Sequence, residues 1–296
     1  AGGPNGDYNF NQTTVQTNAG APEAQWKETY HEVRSSWYGK KTYITDYKKE
    51  VNTKSVAQHD ISAHRQIGIE FFGGTEANVN VTSTSTGDVV IGNILNTSGT
   101  TTITSGGAIR MLADGAIGGR RVVLSAAAGI GTSQRAVTTN VTDTATSSLS
   151  AVATNGNVNI VERSGNLTID NVRATGGGDV SIVVPQNLLV ATGNDGLTIP
   201  HVQGSVISLN TSATSTNLGG GVGNSTAAPI VVESGDQLHH TVTVNANGNV
   251  FLKEKTGDLH LKQIKATGTV WVNVAVGALI DANNSQTVDE RIRSQL

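Results

Sequence analysis

Residues 155–176 read NGNVNIVERSGNLTIDNVRATG, and residues 247–268 read NGNVFLKEKTGDLHLKQIKATG. An offset of 92 residues superposes the two stretches from their Asn-Gly-Asn-Val openings to their Ala-Thr-Gly endings. A weaker third copy begins near Asn78, so a unit of roughly 80–90 residues recurs about two and a half times. Within each copy, large apolar residues alternate with polar ones, and this period of two predicts β-strands.

Similar short strands continue from about Gly74, and the clearest neighbours start 8–13 residues apart with Gly, Asn or Asp between them. Each strand has one thin apolar face, which it buries only by stacking on its neighbours. The sequence therefore predicts an all-β, elongated parallel β-helix, or β-solenoid. Coils of roughly 20–25 residues would give some nine coils over residues 74–285, a rod of about 45 Å, with the matched segments in line. The predicted inward residues are Val79/Val81, Val89/Ile91, Val122/Leu124, Val158/Ile160, Leu167/Ile169, Val180/Ile182/Val184, Val242/Val244, Val250/Leu252, Leu259/Leu261 and Val270/Val272/Val274.

The composition agrees with a narrow core and excludes several classes of protein. Only 36% of the 296 residues are hydrophobic, 4% are aromatic and 15% are charged. The absence of cysteine excludes a disulfide scaffold, Cys-bound zinc and a thiol nucleophile. A net charge of −3 gives no indication of a nucleic-acid partner. No run of apolar residues approaches the length of a transmembrane helix.

Three regions are predicted along the chain. Residues 1–66 contain all five tyrosines and two of the three tryptophans, and their alternating pattern predicts an aromatic-rich antiparallel β-hairpin module that caps or joins the solenoid. Residues 67–285 form the solenoid. Residues 286–296 carry a capping-box pattern at Thr287–Glu290, which predicts the start of a helix cut short by the chain end.

The N-terminal module also holds the one candidate binding surface. Aromatic faces stack on sugar rings, and lysines attract acidic glycans. The candidate glycan-binding residues are Trp26, Tyr30, Trp37, Tyr38, Lys40, Lys41 and Tyr43.

Catalytic and metal chemistry finds little support in the sequence. A polysaccharide lyase or hydrolase needs clustered carboxylates, whereas the aspartates are dispersed at coil corners: Asp88, Asp170, Asp179, Asp236 and Asp258. His239 and His240 are adjacent, so in an extended strand they point to opposite faces and cannot share a metal ion. His59, Asp60 and His64 could converge in a turn, but the sequence shows no further fixed ligand that would complete a metal site. We interpret them as surface residues. No cofactor or metal site is predicted.

Two further patterns allow a structural and an ionic interpretation. Residues 220–224 imitate one calcium-binding nonapeptide repeat, but such sites need tandem copies, so a glycine-rich loop is the favoured interpretation. Glu162 and Glu254 recur at matched places in the two copies, which favours a repeated structural role over an ion site.

The run Gly165–Gly176, its echo Gly257–Gly268 and the stretch Gly277–Ala282 resemble the coils of filamentous-haemagglutinin-like and other giant repetitive bacterial adhesins. The resemblance covers about residues 74–285. It implies a right-handed β-helix that a Gram-negative bacterium exports and displays on, or releases from, its surface. It implies a role in adhesion or biofilm formation, and the family has no shared catalytic residues to carry over.

The expected function is that of a non-enzymatic segment of a large secreted or surface-displayed bacterial protein, used for adhesion, biofilm matrix or extracellular filaments. The expected partners are surface receptors or glycans, with head-to-tail association of the chain itself as a further hypothesis. Two alternatives stay open: a glycan-processing β-helix enzyme, and a glycan-binding module centred on the N-terminal aromatic residues.

Overall fold

The structure, a computed structural model, describes residues 78–211, 220–237 and 239–283, together with five strands outside these ranges. The described residues form 26 strands, numbered β1 to β26 along the chain, and contain no helix. The strands stack as a β-solenoid of about nine turns. The predicted all-β, parallel β-solenoid is therefore confirmed.

Two long sheets make up the walls of the solenoid. Sheet A contains the following strands of the described chain: β1 (Thr13–Thr17), β5 (Val79–Ser83), β8 (Thr100–Ser105), β11 (Arg121–Ala126), β13 (Ser148–Ala153), β15 (Leu167–Ala174), β17 (Leu188–Val190), β18 (Val202–Gln203), β20 (Ile230–Glu233), β22 (Val250–Glu254) and β24 (Val270–Val274). Sheet B contains β2 (Ala24–Ser35), β3 (Lys41–Val51), β4 (Gln66–Phe71), β7 (Asn93–Leu95), β10 (Ile117–Gly119), β12 (Val137–Val141), β14 (Val158–Glu162), β16 (Val180–Val183), β19 (Val206–Asn210), β21 (Thr241–Asn245), β23 (Leu259–Ala266), β25 (Leu279–Asp281) and β26 (Ile292–Ser294). A short third face near the N-terminal end pairs β6 (Val89–Ile91) with β9 (Ile109–Met111).

Successive coils pair in parallel and in register. Val79 of β5 lies beside Thr101 of β8, which lies beside Val122 of β11 and then Leu149 of β13. Nine strands of sheet A, from β5 to β24 and without the side branch β17, follow one another in this way among the described residues. With about 4.8 Å between strands, the stack is about 40 Å long.

A narrow apolar core runs along the inside of the stack. The predicted inward residues are buried from Val79 to Leu261, as expected, and only Val270, Val272 and Val274 of β24 are partly buried. The interleaved Thr, Ser and Asn side chains mostly face outward, because successive residues of a strand point to opposite sides. Thr101 and Thr139 are exceptions, since both are fully buried.

Asn and Asp side chains at the corners link several pairs of neighbouring coils. Oδ1 of Asn166 accepts a hydrogen bond from the backbone N–H of Asn187 at 3.0 Å, and Oδ1 of Asn187 accepts one from Gly221 at 2.8 Å. These bonds satisfy backbone donors at the corners, where the sheet ladders are interrupted. The same contact joins Asn78 to Thr100, Asp88 to Ala108, Asn157 to Asp179, Asp179 to Val206, Asp236 to Asp258, Asn249 to Thr269 and Asp258 to Ala278.

The predicted N-terminal hairpin is confirmed in its backbone. Strands β2 and β3 pair antiparallel, and β2 also pairs antiparallel with β4. Strand β4 continues into the solenoid by parallel pairing with β7. The predicted boundary between residues 66 and 67 thus falls inside β4, which joins the hairpin and the first coil in one sheet.

The two copies of the repeat lie in one stack, but on opposite walls. The segment that opens the first copy is β14 of sheet B, whereas its counterpart in the second copy is β22 of sheet A. The following strands exchange in the same way, β15 in sheet A and β23 in sheet B. The prediction that matched segments lie in line is therefore wrong. The two copies are separated by a whole number of coils plus one half, which places matched segments on opposite walls. Both walls can hold these segments, because both are built from the same alternation of strand and corner.

The C-terminal segment also differs from its prediction. Ile292–Ser294 forms β26, which pairs in parallel with Ile264–Ala266 of β23. The helix predicted for residues 286–296 is thus wrong at these three residues, where pairing with an open strand edge outweighs the local capping pattern. The other residues of this segment lie outside the described residues. In the described part of the chain, no helix is long and apolar enough to cross a membrane.

Candidate functional site

Two glutamates are buried inside the walls of the solenoid. Glu162, at the end of β14, is 1% exposed. Its Oε2 accepts a hydrogen bond from the hydroxyl of Thr139 at 2.6 Å, and its Oε1 accepts one from the backbone N–H of Val141 at 2.9 Å. Both donors lie in or beside β12 of the preceding coil. The carboxyl oxygens therefore act as hydrogen-bond acceptors for the two donors at the end of β12.

Glu254 repeats this arrangement on the opposite wall. It is 0% exposed, and its two carboxyl oxygens accept hydrogen bonds from the backbone N–H and the hydroxyl of Ser234 in the preceding coil. Burial raises the pKa of Glu162 to about 7 and that of Glu254 to about 8, although the hydrogen bonds act in the opposite direction. These matched glutamates have a structural role, as the sequence predicted.

An excursion from the regular coil forms a distinct surface feature among the described residues. Strands β17 and β18 both pair with β15, β17 with Leu167–Ile169 and β18 with Val172–Arg173. Residues 191–201 leave the wall between them. They do so beside a β-bulge, where Leu149 lies opposite Ile169 and Ser150 lies opposite Asn171, so that Asp170 is the extra residue. Because of the bulge, two consecutive polar side chains, Asp170 and Asn171, face outward beneath the excursion.

A pocket of about 480 Å³ lies between the excursion and the bulge. Its lining is rich in hydroxyl, amide and carboxylate groups, with one aliphatic side chain: Asp170, Asn171, Thr192, Gly193, Asn194, Asp195, Thr198 and Ile199. The Nη2 atom of Arg121 lies 3.6 Å from Oδ2 of Asp170, so this carboxylate has a cationic neighbour. The pocket therefore presents many hydrogen-bonding groups with a small excess of negative charge.

Asn194 and His201 hold the excursion in place. Nδ2 of Asn194 donates to the backbone carbonyl of Asp170 at 2.6 Å and to its Oδ1 at 3.0 Å. His201 is buried behind the loop, and its Nδ1 accepts a hydrogen bond from the backbone N–H of Val231 at 2.9 Å. Burial lowers the pKa of His201, which keeps the ring neutral and able to accept this bond.

The predicted aromatic surface can be compared only in its backbone. Trp26 and Tyr30 lie in β2, and Lys41 and Tyr43 lie in β3. The antiparallel register places Trp26 beside Lys49 and Val33 beside Tyr43. The side chains of these strands, and all of Trp37, Tyr38 and Lys40, lie outside the described residues, as do His59, Asp60 and His64.

The other sequence candidates take up structural positions. The corner aspartates Asp88, Asp179, Asp236 and Asp258 each accept a backbone hydrogen bond from the next coil, and Asp236 and Asp258 are joined in this way to each other. Asn224, in the glycine-rich segment, uses its Oδ1 to accept a hydrogen bond from Val190 at 2.8 Å. His239 and His240 do not follow the extended geometry that we expected, because they lie in a turn before β21 with their rings in edge-to-face contact. Among the described residues no three His, Asp or Glu side chains are grouped to hold a metal ion.

The sequence patterns did not single out the loop residues of the pocket, and of its lining only Asp170 was a candidate, as a corner aspartate. Asn194, Asp195 and Thr198 belong to no repeated pattern, and the first copy of the repeat ends before them. The signal that could have indicated them is the spacing between strands. The 11 residues between β17 and β18 interrupt their wall, whereas the neighbouring strand β15, with which both pair, is continuous.

Comparison of this chain with protein-family models, with curated proteins and with solved structures gives no match.

Proposed function

We propose that this chain is a non-enzymatic, adhesive segment of a secreted or surface-displayed bacterial protein that contributes to attachment, biofilm matrix or extracellular filaments. The observation that carries the proposal is the continuous stack of about nine coils, whose polar outer wall offers a surface about 40 Å long. A long, repetitive wall suits many weak contacts made together, because linked contacts add their free energies without a single deep site.

The placement of the ionisable groups supports the same proposal. The two carboxyl groups with raised pKa values, Glu162 and Glu254, are sealed from solvent and bonded to the preceding coil. A general acid must reach its substrate, so these two groups are unsuited to catalysis. Corner aspartates such as Asp179 and Asp258 accept hydrogen bonds from backbone N–H groups of the next coil, which is a structural use of a carboxylate.

The test is a binding assay combined with a turnover assay. Beads that carry many copies of the chain are incubated with epithelial cells and with preformed bacterial biofilm, and albumin-coated beads serve as the control. We expect the coated beads to be retained well above the control beads. We expect the soluble, monomeric chain to be retained much less than the coated beads. Absence of retention on every surface would contradict the proposal.

The turnover assay addresses the enzymatic alternative. The chain is incubated with neutral and acidic polysaccharides, and new reducing ends or unsaturated products are measured over time. We expect no product above that of the heat-denatured chain. Sustained turnover that is abolished by changing a single aspartate would overturn the non-enzymatic assignment.

A further inference from the structure

We propose that the pocket beneath the 191–201 excursion binds a neutral saccharide on the side of the solenoid. The proposal rests on the adhesive function proposed above and gives it a ligand class and a location. It differs from the glycan surface predicted at the N-terminal aromatic residues, which lies in another part of the chain.

The size of the pocket suits a small ligand. A volume of about 480 Å³ falls within the range of roughly 300–1,000 Å³ that is typical of small-molecule sites. The regular corners elsewhere are built by short turns whose side chains bond the next coil. The longer excursion, by contrast, leaves space between itself and the wall.

The lining matches the chemistry of sugar hydroxyls. Thr192, Thr198 and Asp195 are exposed in the pocket, and hydroxyl and carboxylate groups accept or donate the hydrogen bonds that a polyol makes. The side chain of Asn171 also lines the pocket, although its Oδ1 atom is itself buried and has no hydrogen-bond partner among the described residues.

Aliphatic side chains lie next to these polar groups. Ile199 lines the pocket and is 44% exposed, and nearby Leu197 is 54% exposed. Few large hydrophobic residues are exposed in the described chain, and two of them lie on this one loop. A sugar ring needs this combination, because its C–H groups pack on apolar surface while its hydroxyls form hydrogen bonds.

The charge of the pocket selects among saccharides. Asp170 has Arg121 beside it, whereas the structure gives Asp195 one hydrogen bond, from the backbone N–H of Leu197 to Oδ1 at 2.9 Å. The pocket therefore carries a net negative charge, which repels carboxylated and sulfated sugars. Neutral saccharides are the class that gains the hydrogen bonds without this repulsion.

The pocket is also held in a fixed shape before any ligand binds. Asn194 ties the loop to Asp170 by two hydrogen bonds, and its Oδ1 accepts a third from the backbone N–H of Gly196 at 3.0 Å. Buried His201 anchors the end of the loop to Val231. A preformed site loses little conformational entropy on binding, so a modest number of contacts is sufficient for affinity.

The experiment is a saccharide titration of the full chain, with neutral, amino and carboxylated oligosaccharides, by calorimetry and by backbone amide NMR. We expect binding of at least one neutral saccharide, with chemical-shift changes concentrated at residues 170–171 and 191–199. The double variant Thr192→Ala/Thr198→Ala is expected to weaken this binding at least tenfold. The control Thr267→Ala changes an exposed threonine on a distant coil and is expected to leave it unchanged.

The outcomes separate this proposal from the adhesive function. If the double variant binds saccharide as well as the wild type does while its circular dichroism and melting temperature are unchanged, the pocket assignment is wrong. The same holds if only carboxylated sugars bind, or if no sugar binds while the coated beads still adhere to cells. In the last two cases the adhesive function stands and only the pocket proposal fails.

Discussion

Glu254 and Ser234 are joined by two hydrogen bonds, one from the backbone N–H and one from the hydroxyl of the serine, each 3.1 Å long. Glu162 makes the corresponding pair of contacts with β12 on the opposite wall. The two copies of the repeat thus preserve a buried link between neighbouring coils, even though the copies lie on different sheets.

The first prediction concerns the pH dependence of stability. The pKa values of Glu162 and Glu254 rise from an ordinary value of 4.5 to about 7 and about 8 on folding. The folded chain therefore keeps protons that the unfolded chain releases. The contribution of these groups to the free energy of unfolding is greatest below the ordinary pKa and falls as the pH rises through the folded values. We expect a loss on the order of a few kcal/mol between about pH 5 and about pH 9.

The measurement is urea unfolding of the wild type and of Glu162→Gln/Glu254→Gln across this pH range. The glutamines cannot ionise, so the double variant is expected to lose most of the pH dependence. Asp143→Asn is the control, because Asp143 is an exposed carboxylate that does not contribute to the raised pKa of either glutamate. An unchanged pH profile in the double variant would show that other groups control stability in this range.

The second prediction concerns the corner ladder. Asn187→Ala removes the acceptor for the N–H of Gly221 and the side-chain donor to Asn166. We expect the free energy of unfolding to fall by about 1–2 kcal/mol, because partly buried polar groups lose their partners. Asn155→Ala is the control, since the exposed Asn155 makes one 3.3 Å side-chain bond to Ala127. Equal effects of the two changes would argue against a special role for the ladder.

The third prediction tests the close approach of neighbouring coils. A methyl group on Gly178 would overlap the backbone carbonyl of Gly156 in the coil below. Gly178→Ala is therefore expected to lower the free energy of unfolding by about 1–3 kcal/mol or more, because the coils must move apart. At Gly193 an added methyl group meets no atom within 4 Å, but φ is +86°, so Gly193→Ala is expected to cost only about 1 kcal/mol of backbone strain. Thermal unfolding of both variants gives the comparison, and a larger loss at Gly193 would refute it.

The fourth prediction concerns the core. Leu167 of β15 is fully buried, and Leu167→Ala is expected to lower the free energy of unfolding by about 2–5 kcal/mol through lost burial and the cavity left behind. Leu95 of β7 is 42% exposed, and Leu95→Ala is expected to cost about 0.5 kcal/mol. Chemical unfolding of the two variants measures both values. Similar losses would mean that the outer wall contributes as much as the core.

Much of the fold was predictable because its signal is local. Alternation such as Val158, Ile160 and Val180, Ile182 identifies strands with one buried face, and repetition indicates that they stack. The structural role of Glu162 and Glu254 was also predictable, since both occupy the same place in the repeat. Their hydrogen-bond partners were not, because Thr139 and Ser234 come from the preceding coil and have no sequence relationship to each other.

The sequence by itself determined the class of fold, the inward residues, the approximate number of coils and the hairpin at the N-terminal end, because these depend on periodicity along one strand or between neighbouring strands. Only the tertiary structure decided that the two repeats lie on opposite walls, that Ile292–Ser294 is a strand, and that residues 191–201 enclose a pocket against Asp170 and Asn171. The physical reason is the same in each case. The wall on which a segment lies, and the strand with which it pairs, depend on the summed lengths of all intervening strands and turns. No local sequence pattern encodes this total length.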